Sequence, residues 1–487
     1  MIAEPRVTEP VALADLALIL DADLVGPDRP RAPGEVTVTD VDHDSRRAGP
    51  GTLFACIRGA TVDGHDHAAD AVAAGADALL VDHRLDLPVP QLVVADTRPA
   101  MAHAAARVHG DPATALTVIG VTGTNGKTTV VSLLAAILDA DGRRSDTIGT
   151  LTGGHSTVTT PESTELQRRL ARMRSEGIDA VAMEISSHAL ALHRVDGMLV
   201  DVAVFTNLSR DHLDFHGTMD AYFAAKARLF TPERARRAVV NRDDPYGRIL
   251  ADAATVPTVS YGLDDAADLV LDSAGSHFVW QGQRVTLPLI GRVNVQNALA
   301  AATAAAEAGI PVASIARGLA AARPVPGRFE PVAIDAPFSV LVDYAHTPDA
   351  LAHLLEAARE VVHGGRVVLV VGCGGDKDRT KRAPMGEVAA RLADQVVLTS
   401  DNPRSEDPDA IIGEMLVGTG TPPHVSVQAD RRLAIAGALG YASEGDLVVV
   451  AGRGHETEQT LADRTVPFDD RVVVAEEWER LGGGGSQ

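Results

Sequence analysis

Three α/β-type domains in one chain is the architecture this sequence predicts, and three observations predict it. The chain has 487 residues, too long for one ordinary domain. Val-rich strand-like runs alternate with Ala-rich helical stretches. Two turn-rich breaks, at His109-Gly110-Asp111-Pro112 and at Pro324, Pro326 and Gly327, divide that alternation into three blocks.

The first block, residues 1–111, has short strand-like runs at Val36 to Val41, Ala78 to Val81 and Gln91 to Val94. His109 to Leu116 follows as a linker. The second block, 112–328, opens with TVIGV, then TGTNGKTT, then VVSLLAAILDA, a strand, a glycine turn and a helix. Further strands are expected at Ala180 to Ile185, Val202 to Asn207 and Ala238 to Asn241, each ending near polar residues, where open α/β sheets gather ligand groups. The third block, 329–480, carries SVLVDYA, RVVLVVGCG, DQVVLTSD and DLVVVAGRG, apolar enough for parallel strands covered on both faces. Residues 481–487 read as a flexible tail. No internal repeat of fixed period interrupts this order.

Composition narrows the class. Hydrophobic residues make up 45% and charged residues 23%, the balance of a soluble enzyme. Aromatics are only 3%, so the cores must be built from Ala, Val and Leu. No apolar run approaches the ~20 residues of a membrane span. The N-terminal stretch lacks the basic flank and cleavage site of a secretory signal. Cys56 and Cys373, the only cysteines, exclude a disulfide framework or zinc ribbon. The expected compartment is the cytoplasm. A formal net charge of −22 argues against nucleic-acid binding, which needs a basic surface. It leaves a nucleotide ligand open, since local cations and backbone amides suffice to hold phosphates.

The segment Gly123-Thr124-Asn125-Gly126-Lys127-Thr128-Thr129 lies between a strand and a helix, the context of a phosphate loop. Its glycines let amides turn toward an anion, and the helix N-terminus adds partial positive charge. Lys127 would reach the β/γ-phosphates of ATP and Thr128 would complete a Mg²⁺ shell. The full Walker A spacing is absent, because its first glycine would fall at Val121. Glu184, at a strand end in MEISSH, suits a hard cation. SRDHLDFHGTMDAYFAAKARLF adds His212, Asp214, His216 and Lys226, each of which could singly be an ordinary hydrogen-bonded or solvent-facing residue. Composition and spacing reach a Mg-ATP-dependent enzyme and stop there.

Taken together the motifs resemble the Mur ligases from about residue 43 to residue 475. His43-Asp44-Ser45-Arg46 and GTLFACIRGATVDGHDH match in the first block. GTNGKTT, TTPES, MEISSHAL, TNLSRDHLDFHGTM and AAKARLF follow in the second. GRFE, VDYAHTPDAL, GCGGDKDRTKR, SDNPRSEDP and GRGHE complete the series in family order.

The resemblance implies an N-terminal domain for the UDP-substrate, a central ATP-binding domain and a Rossmann-like C-terminal domain. It assigns Ser45 and Arg46 to the UDP moiety, and Thr159, Thr160, Ser186 and Arg194 to the peptide and muramoyl part. Lys127 and Thr128 match ATP-phosphate and magnesium contacts, Glu184 and His212 further metal-associated groups, and Lys226 the lysine carried as a carbamate. Asn297, Arg328, Asp343 and His346 match groups around the nucleotide. The implied reaction is ATP-dependent amide-bond formation through an acyl phosphate, completed by domain closure that excludes water.

Asp401-Asn402-Pro403-Arg404 resembles the form found in family members that add meso-diaminopimelate to UDP-N-acetylmuramoyl-L-alanyl-D-glutamate. A guanidinium can hold that amino acid's second carboxylate, whereas it would repel lysine's ammonium. Glu456 would pair with the distal ammonium, and Gly452 would allow close backbone approach. The chain departs from the family pattern at Lys377, where arginine is common, at Ala383-Pro384, with the proline displaced by one, and at Glu458, where an aromatic is usual. L-lysine or another diamino acid therefore stays open as the added residue, as does a non-catalytic nucleotide-binding relative. Expected partners are small molecules only, without nucleic acid or membrane, on a monomeric chain.

Overall fold

The computed structural model describes residues 9–26, 35–59, 61–152, 158–272, 275–362, 364–420 and 422–482. The tail from 483 onward lies outside the described residues. The chain gathers into two compact units: Met1–Leu208 with Asp220–Tyr261 and Ala300–Gly318, and Ser209–Met219 with Gly262–Leu299 and Leu319–Gln487.

The first unit contains two α/β sheets. The N-terminal sheet runs, edge to edge, Asp23–Val25, Gln91–Val93, Ala78–Val81, Thr52–Ala55 and Asp40–Asp42, parallel except for its first strand. Alternation dictates its two cores. Leu53, Ala55, Leu80 and Leu92 face the helices Leu13–Leu20 and Thr97–Val108, while Phe54, Cys56, Leu79 and Val81 pack with Ala68 and Ala71. The run expected as one strand from Val36 to Val41 divides into two. Thr37–Val38 pairs antiparallel with Val11–Ala12, and Asp40–Asp42 joins the main sheet. The break has a local cause: the amides of Thr39 and Asp40 both donate to Gly51 O, at 2.8 and 3.1 Å, as in a bulge.

The second sheet of this unit is wholly parallel, in the order Thr258–Tyr261, Ala235–Asn241, Val200–Phe205, Thr117–Thr122, Ala180–Glu184, Ser145–Ile148. Val121 opposes Glu184 and Thr122 opposes Phe205, so three adjacent strands end at one edge. The linker expected at 109–116 is a fastened joint. Pro112–Ala115 forms a 3-10 turn with Pro112 and Ala113 buried, and Arg174 donates to the carbonyls of His109 and Gly110 at 3.3 and 2.8 Å. Arg168 ties the sheets further, reaching Asp40, Val41 O and Asp42 at 3.1, 3.0 and 2.7 Å.

The second unit is built on a six-stranded sheet ordered Glu330–Pro331, Ser339–Asp343, Leu447–Ala451, Val367–Val371, Gln395–Leu398, Val425–Val427, parallel except for its first strand. Val367, Leu369, Val371, Val449 and Leu398 face the helices Pro348–Val361, Arg382–Leu392 and Pro408–Thr419. Val368, Val370, Val448 and Val450 face Arg431–Tyr441 and Asp470–Arg480. The four Val-rich runs are thus parallel strands covered on both faces. A three-stranded antiparallel sheet, Ala267–Asp272, Gly275–Trp280 and Gln283–Leu287, was not expected from the sequence. In its outer strands only Val285 and Leu287 are buried, and the one apolar run, Leu269-Val270-Leu271, is too short to stand out as a strand. Among the described residues no helix is long and apolar enough to cross a membrane.

Candidate active site

In the first unit the strand Thr117–Thr122 breaks at Gly123, where φ is +149° and a Cβ would meet Thr206 Oγ1 at 1.9 Å. Only glycine allows that approach. The loop is then sewn to the end of the neighbouring strand. Thr124 N donates to Asn207 O and Asn125 N to Asn207 Oδ1, both at 2.9 Å, and Thr206 Oγ1 donates to Asn125 O at 2.6 Å. Gly126 turns with φ +86° and Lys127 begins the helix Lys127–Ala140, with Thr128 and Thr129 buried in its first turn.

Two ammonium groups converge on this loop. Lys127 Nζ donates to Gly123 O and Thr124 O, each at 2.8 Å. Lys226 Nζ donates to the same Gly123 O at 2.8 Å and lies 4.7 Å from the centroid of the Tyr222 ring. Lys226 is 1% exposed. The Tyr222 hydroxyl in turn lies 3.2 Å from Thr124 Oγ1.

Glu184, also 1% exposed, accepts from Thr128 Oγ1 at 3.1 Å and from Thr150 N at 2.8 Å. The other residues assigned to the substrate surround it. Thr150 Oγ1 donates to Thr159 Oγ1 at 3.4 Å, and Thr160 Oγ1 donates to Glu184 O at 3.0 Å. Ser186 N donates to Thr160 Oγ1 at 3.0 Å, and Arg194 Nη1 to Thr160 O at 3.1 Å. Ser45 and Arg46 sit apart on a 3-10 turn, where Arg46 folds back on Asp44 through bonds of 2.8 and 2.7 Å. The sequence reading missed Thr150, Thr206, Asn207 and Tyr222, although the last three lie in motifs it singled out.

In the second unit Arg328 lies 4.5 Å from the centroid of the Tyr344 ring, whose other neighbours are His346 and His455, at 4.7 and 5.3 Å between centroids. Asp343 accepts from the amides of Phe329 and Ala345, each at 2.7 Å. Desolvation raises the Asp343 carboxyl, opposed by Arg328 and those amides. Burial, aided by Lys381, lowers the His346 imidazole, and burial with Arg328 pushes His455 down to about 4. His212 has φ +53° and sits 3.3 Å from Asp211. Burial opposes ionisation of Asp211, but His212 and His346 outweigh it and hold its carboxyl below the usual range. Asn297 is buried on the helix Arg292–Glu307 with Asn294 as its partner at 3.4 Å, and is not bonded to Arg328, Asp343 or His346 among the described residues.

The residues assigned to the amino acid lie at the carboxyl ends of neighbouring strands. Asp401, Asn402 and Pro403 are buried, and Asn402 Nδ2 donates to Glu456 Oε2 at 2.6 Å. Gly452, with φ +111°, faces Asp401, whose Oδ2 would stand 2.7 Å from a Cβ there. Burial and then Asp401 raise the Glu456 carboxyl, opposed by Asn402. Arg404 takes φ +50° and donates from Nη1 to Gly375 O at 2.6 Å, its guanidinium otherwise unbonded among the described residues. Lys377 is exposed on the facing loop.

That loop is held by a latch the sequence reading did not anticipate. Fully buried Arg382 donates to Glu406 at 2.9 and 2.8 Å and to Glu414 at 2.9 Å, while Asp376 N donates to Glu406 at 2.6 Å. Charged residues inside two quoted motifs were the available signal. Pro384 remains in the first turn of Arg382–Leu392, where its missing N–H has no helical partner to lose. Glu458 is exposed at the start of the strand Glu458–Thr460, and only its carbonyl is engaged among the described residues, by Arg453 at 2.7 Å.

A glycine loop between a parallel strand and a helix, with two lysines and a buried carboxylate beside it, defines a phosphate-binding α/β protein. Known proteins refine this. Residues 37–118 match the family model described as Mur ligase family, catalytic domain. Residues 121–305 match the Mur ligase middle domain, and 327–454 the Mur ligase glutamate ligase domain. A UDP-N-acetylmuramoyl-L-alanyl-D-glutamate--2,6-diaminopimelate ligase of Streptomyces coelicolor is 46% identical, covering 97% of this chain and 98% of the relative. One of the same description from Halalkalibacterium halodurans is 44% identical, covering 91% and 96%. A solved structure so described is 32% identical with a TM-score of 0.69, covering 97% of this chain and 100% of its own. The Thermotoga maritima MurF ligase, solved in complex with ADP, shares the fold at 20% identity and a TM-score of 0.60, covering 92% and 97%. The chain belongs to the Mur ligase family.

Proposed function

We propose that the chain is an ATP-dependent ligase that adds meso-diaminopimelate to UDP-N-acetylmuramoyl-L-alanyl-D-glutamate in peptidoglycan precursor synthesis. The observation that carries the choice of amino acid is the loop from Asp401 to Arg404, folded against Glu456 and Gly452. It offers a guanidinium and a carboxylate together, the two charges complementary to an α-amino-acid end group. Lysine's distal end lacks the carboxylate that Arg404 would hold.

In the proposed reaction the γ-phosphoryl group of ATP passes to the free carboxylate of the peptide, giving an acyl phosphate and ADP. The amino group of diaminopimelate attacks the acyl carbon, the C–N bond forms, phosphate leaves with the C–O electron pair and the nitrogen loses a proton. Lys127 leaves its two loop carbonyls to meet the β/γ-phosphates. Thr128 and Glu184 offer the oxygen ligands a hard cation takes, so the residues present fit Mg²⁺, with His212 proposed alongside. Bound Mg²⁺ would neutralise phosphate charge. Lys226, buried against the loop, is the proposed site of a carbamate that would turn a cation into an oxygen ligand. Asn297, Arg328, Asp343 and His346 are assigned to the nucleotide, and Ser45, Arg46, Thr159, Thr160, Ser186 and Arg194 to the UDP-substrate. Domain boundaries near 111 and 328, a cytoplasmic location and a monomer complete the proposal.

The test is isotopic. Peptide substrate carrying ¹⁸O in its free carboxylate should, with ATP and meso-diaminopimelate, deliver one labelled oxygen to the released phosphate and yield the tripeptide mass. Phosphate released without label would exclude the acyl-phosphate route.

A further inference from the structure

Away from these residues, metal-ligating side chains gather at the carboxyl ends of two adjacent parallel strands of the N-terminal sheet, Thr52–Ala55 and Ala78–Val81. The second strand runs directly into Asp82 and His83. The first leads to the 3-10 turn Gly64–His67, which carries His65. One ligating atom from each of His65, Asp82 and His83 lies within 4.8 Å of the others.

The details favour an ion over a plain polar network. The His65 side chain is 6% exposed, and its Nδ1 lies 2.6 Å from Asp63 Oδ1. A carboxylate on one ring nitrogen fixes the proton there and leaves the other nitrogen with its lone pair, the outer-shell arrangement that metal-bound histidines use. That other nitrogen, Nε2, is 3.2 Å from Asp82 Oδ1 and accepts the Asp82 amide at 3.4 Å, as an unprotonated nitrogen does. His83 stacks on His65 with centroids 4.8 Å apart, and its Nδ1 is in hydrogen-bond contact with Asp82 Oδ1. The charge is now balanced by Arg58, which donates to Asp82 Oδ2 at 2.7 Å and to Asp63 Oδ2 at 3.1 Å from an exposed position.

We propose that His65 Nε2, His83 Nδ1 and the Asp82 carboxylate form a site for one divalent transition-metal ion of the zinc class, supported by Asp63 and opposed by Arg58. Two imidazoles and a carboxylate make a three-ligand set with a position left for water. Nitrogen donors select against Mg²⁺, which takes oxygen. Ligand bonds of roughly 2.0–2.2 Å require the donor atoms to stand a little over 3 Å apart. The His65–Asp82 pair already does, and His83, 54% exposed, has room to swing outward.

The probe is Co²⁺, titrated into the full-length chain with Mg²⁺ in excess, read by visible absorption and by equilibrium dialysis. The wild-type chain should take up one equivalent with the intense bands of a low-coordinate nitrogen site. His83→Ala, a change at a half-exposed position, and His65→Gln should each lose those bands and that equivalent. Asp63→Asn should bind roughly 10–100-fold more weakly, and Arg58→Ala several-fold more tightly. Equal uptake and identical spectra for the wild type and His83→Ala would overturn the site. So would loss in His65→Gln alone, which would leave His83 outside the ligand set.

Discussion

Lys127 and Lys226 donate to the same carbonyl, Gly123 O, so two side-chain nitrogens stand against one loop. Lys127, released from its loop carbonyls, is the cation the loop is proposed to offer to phosphate oxygens. Lys127→Ala should lower kcat roughly 10²–10³-fold, the cost typical of deleting one transition-state donor, while leaving the thermal unfolding midpoint near that of the wild type. Steady-state phosphate release and a melt on the same preparation check both halves. Arg404 is proposed to act at the amino-acid substrate. Its side chain bonds the protein through Nη1 alone among the described residues, so removing it deletes contacts to ligand more than contacts to fold. Arg404→Ala should raise KM for meso-diaminopimelate about 10–100-fold, equivalent to a charge-assisted bond of about 1.5–3 kcal/mol, with KM for ATP little changed.

At the level of elements, buried ion pairs set the strand ends that carry these residues. Arg431 and Asp470 are both fully buried, 2.7 Å apart, and Arg431 also donates to the carbonyls of Ser400 and Ala451 at 3.3 and 3.0 Å. One guanidinium thus joins two helices to the strands leading into Asp401 and Gly452. Arg431→Ala strands a buried carboxylate and should cost about 3–5 kcal/mol, read from the urea midpoint. In the first unit, burial alone would raise the Asp196 carboxyl, but His193 and Arg234 outweigh it and hold it at about 2. A depressed folded value gives stability that is present above the unfolded value of 3.8 and is lost as pH falls through about 2. Asp196→Asn should therefore flatten the stability profile between pH 4 and 2 by about 2 kcal/mol. The same level shows what was legible beforehand. Val118, Ile119 and Val121, or Val367, Leu369 and Val371, announce buried parallel strands because both faces of such strands are apolar. The antiparallel strands of 267–287 gave no such sign, with one face in water. The phosphate loop was readable because its glycines are demanded locally. Arg382 with Glu406 and Glu414 was not, since a buried ion pair between distant segments looks in sequence like any surface charge.

For the whole molecule, the three large α/β sheets differ in how far their function could be read. The central sheet announces phosphate chemistry through one loop. The C-terminal sheet carries the proposed substrate choice on loops distant in sequence, and the N-terminal sheet offers apolar strands such as ALLV and TLFA and a few charged turns. A chain of net charge −22 that handles phosphates must do so with a few placed cations, and Lys127 and Arg328 are the proposed ones. Together these parts are proposed to join diaminopimelate to the UDP-linked dipeptide. The most direct measurement is phosphate release from ATP with UDP-N-acetylmuramoyl-L-alanyl-D-glutamate and Mg²⁺, comparing meso-diaminopimelate, L-lysine and no amino acid. Turnover is expected with meso-diaminopimelate, and background rates in the other two arms. Turnover with L-lysine in its place, or none with any amino acid, would contradict the proposal.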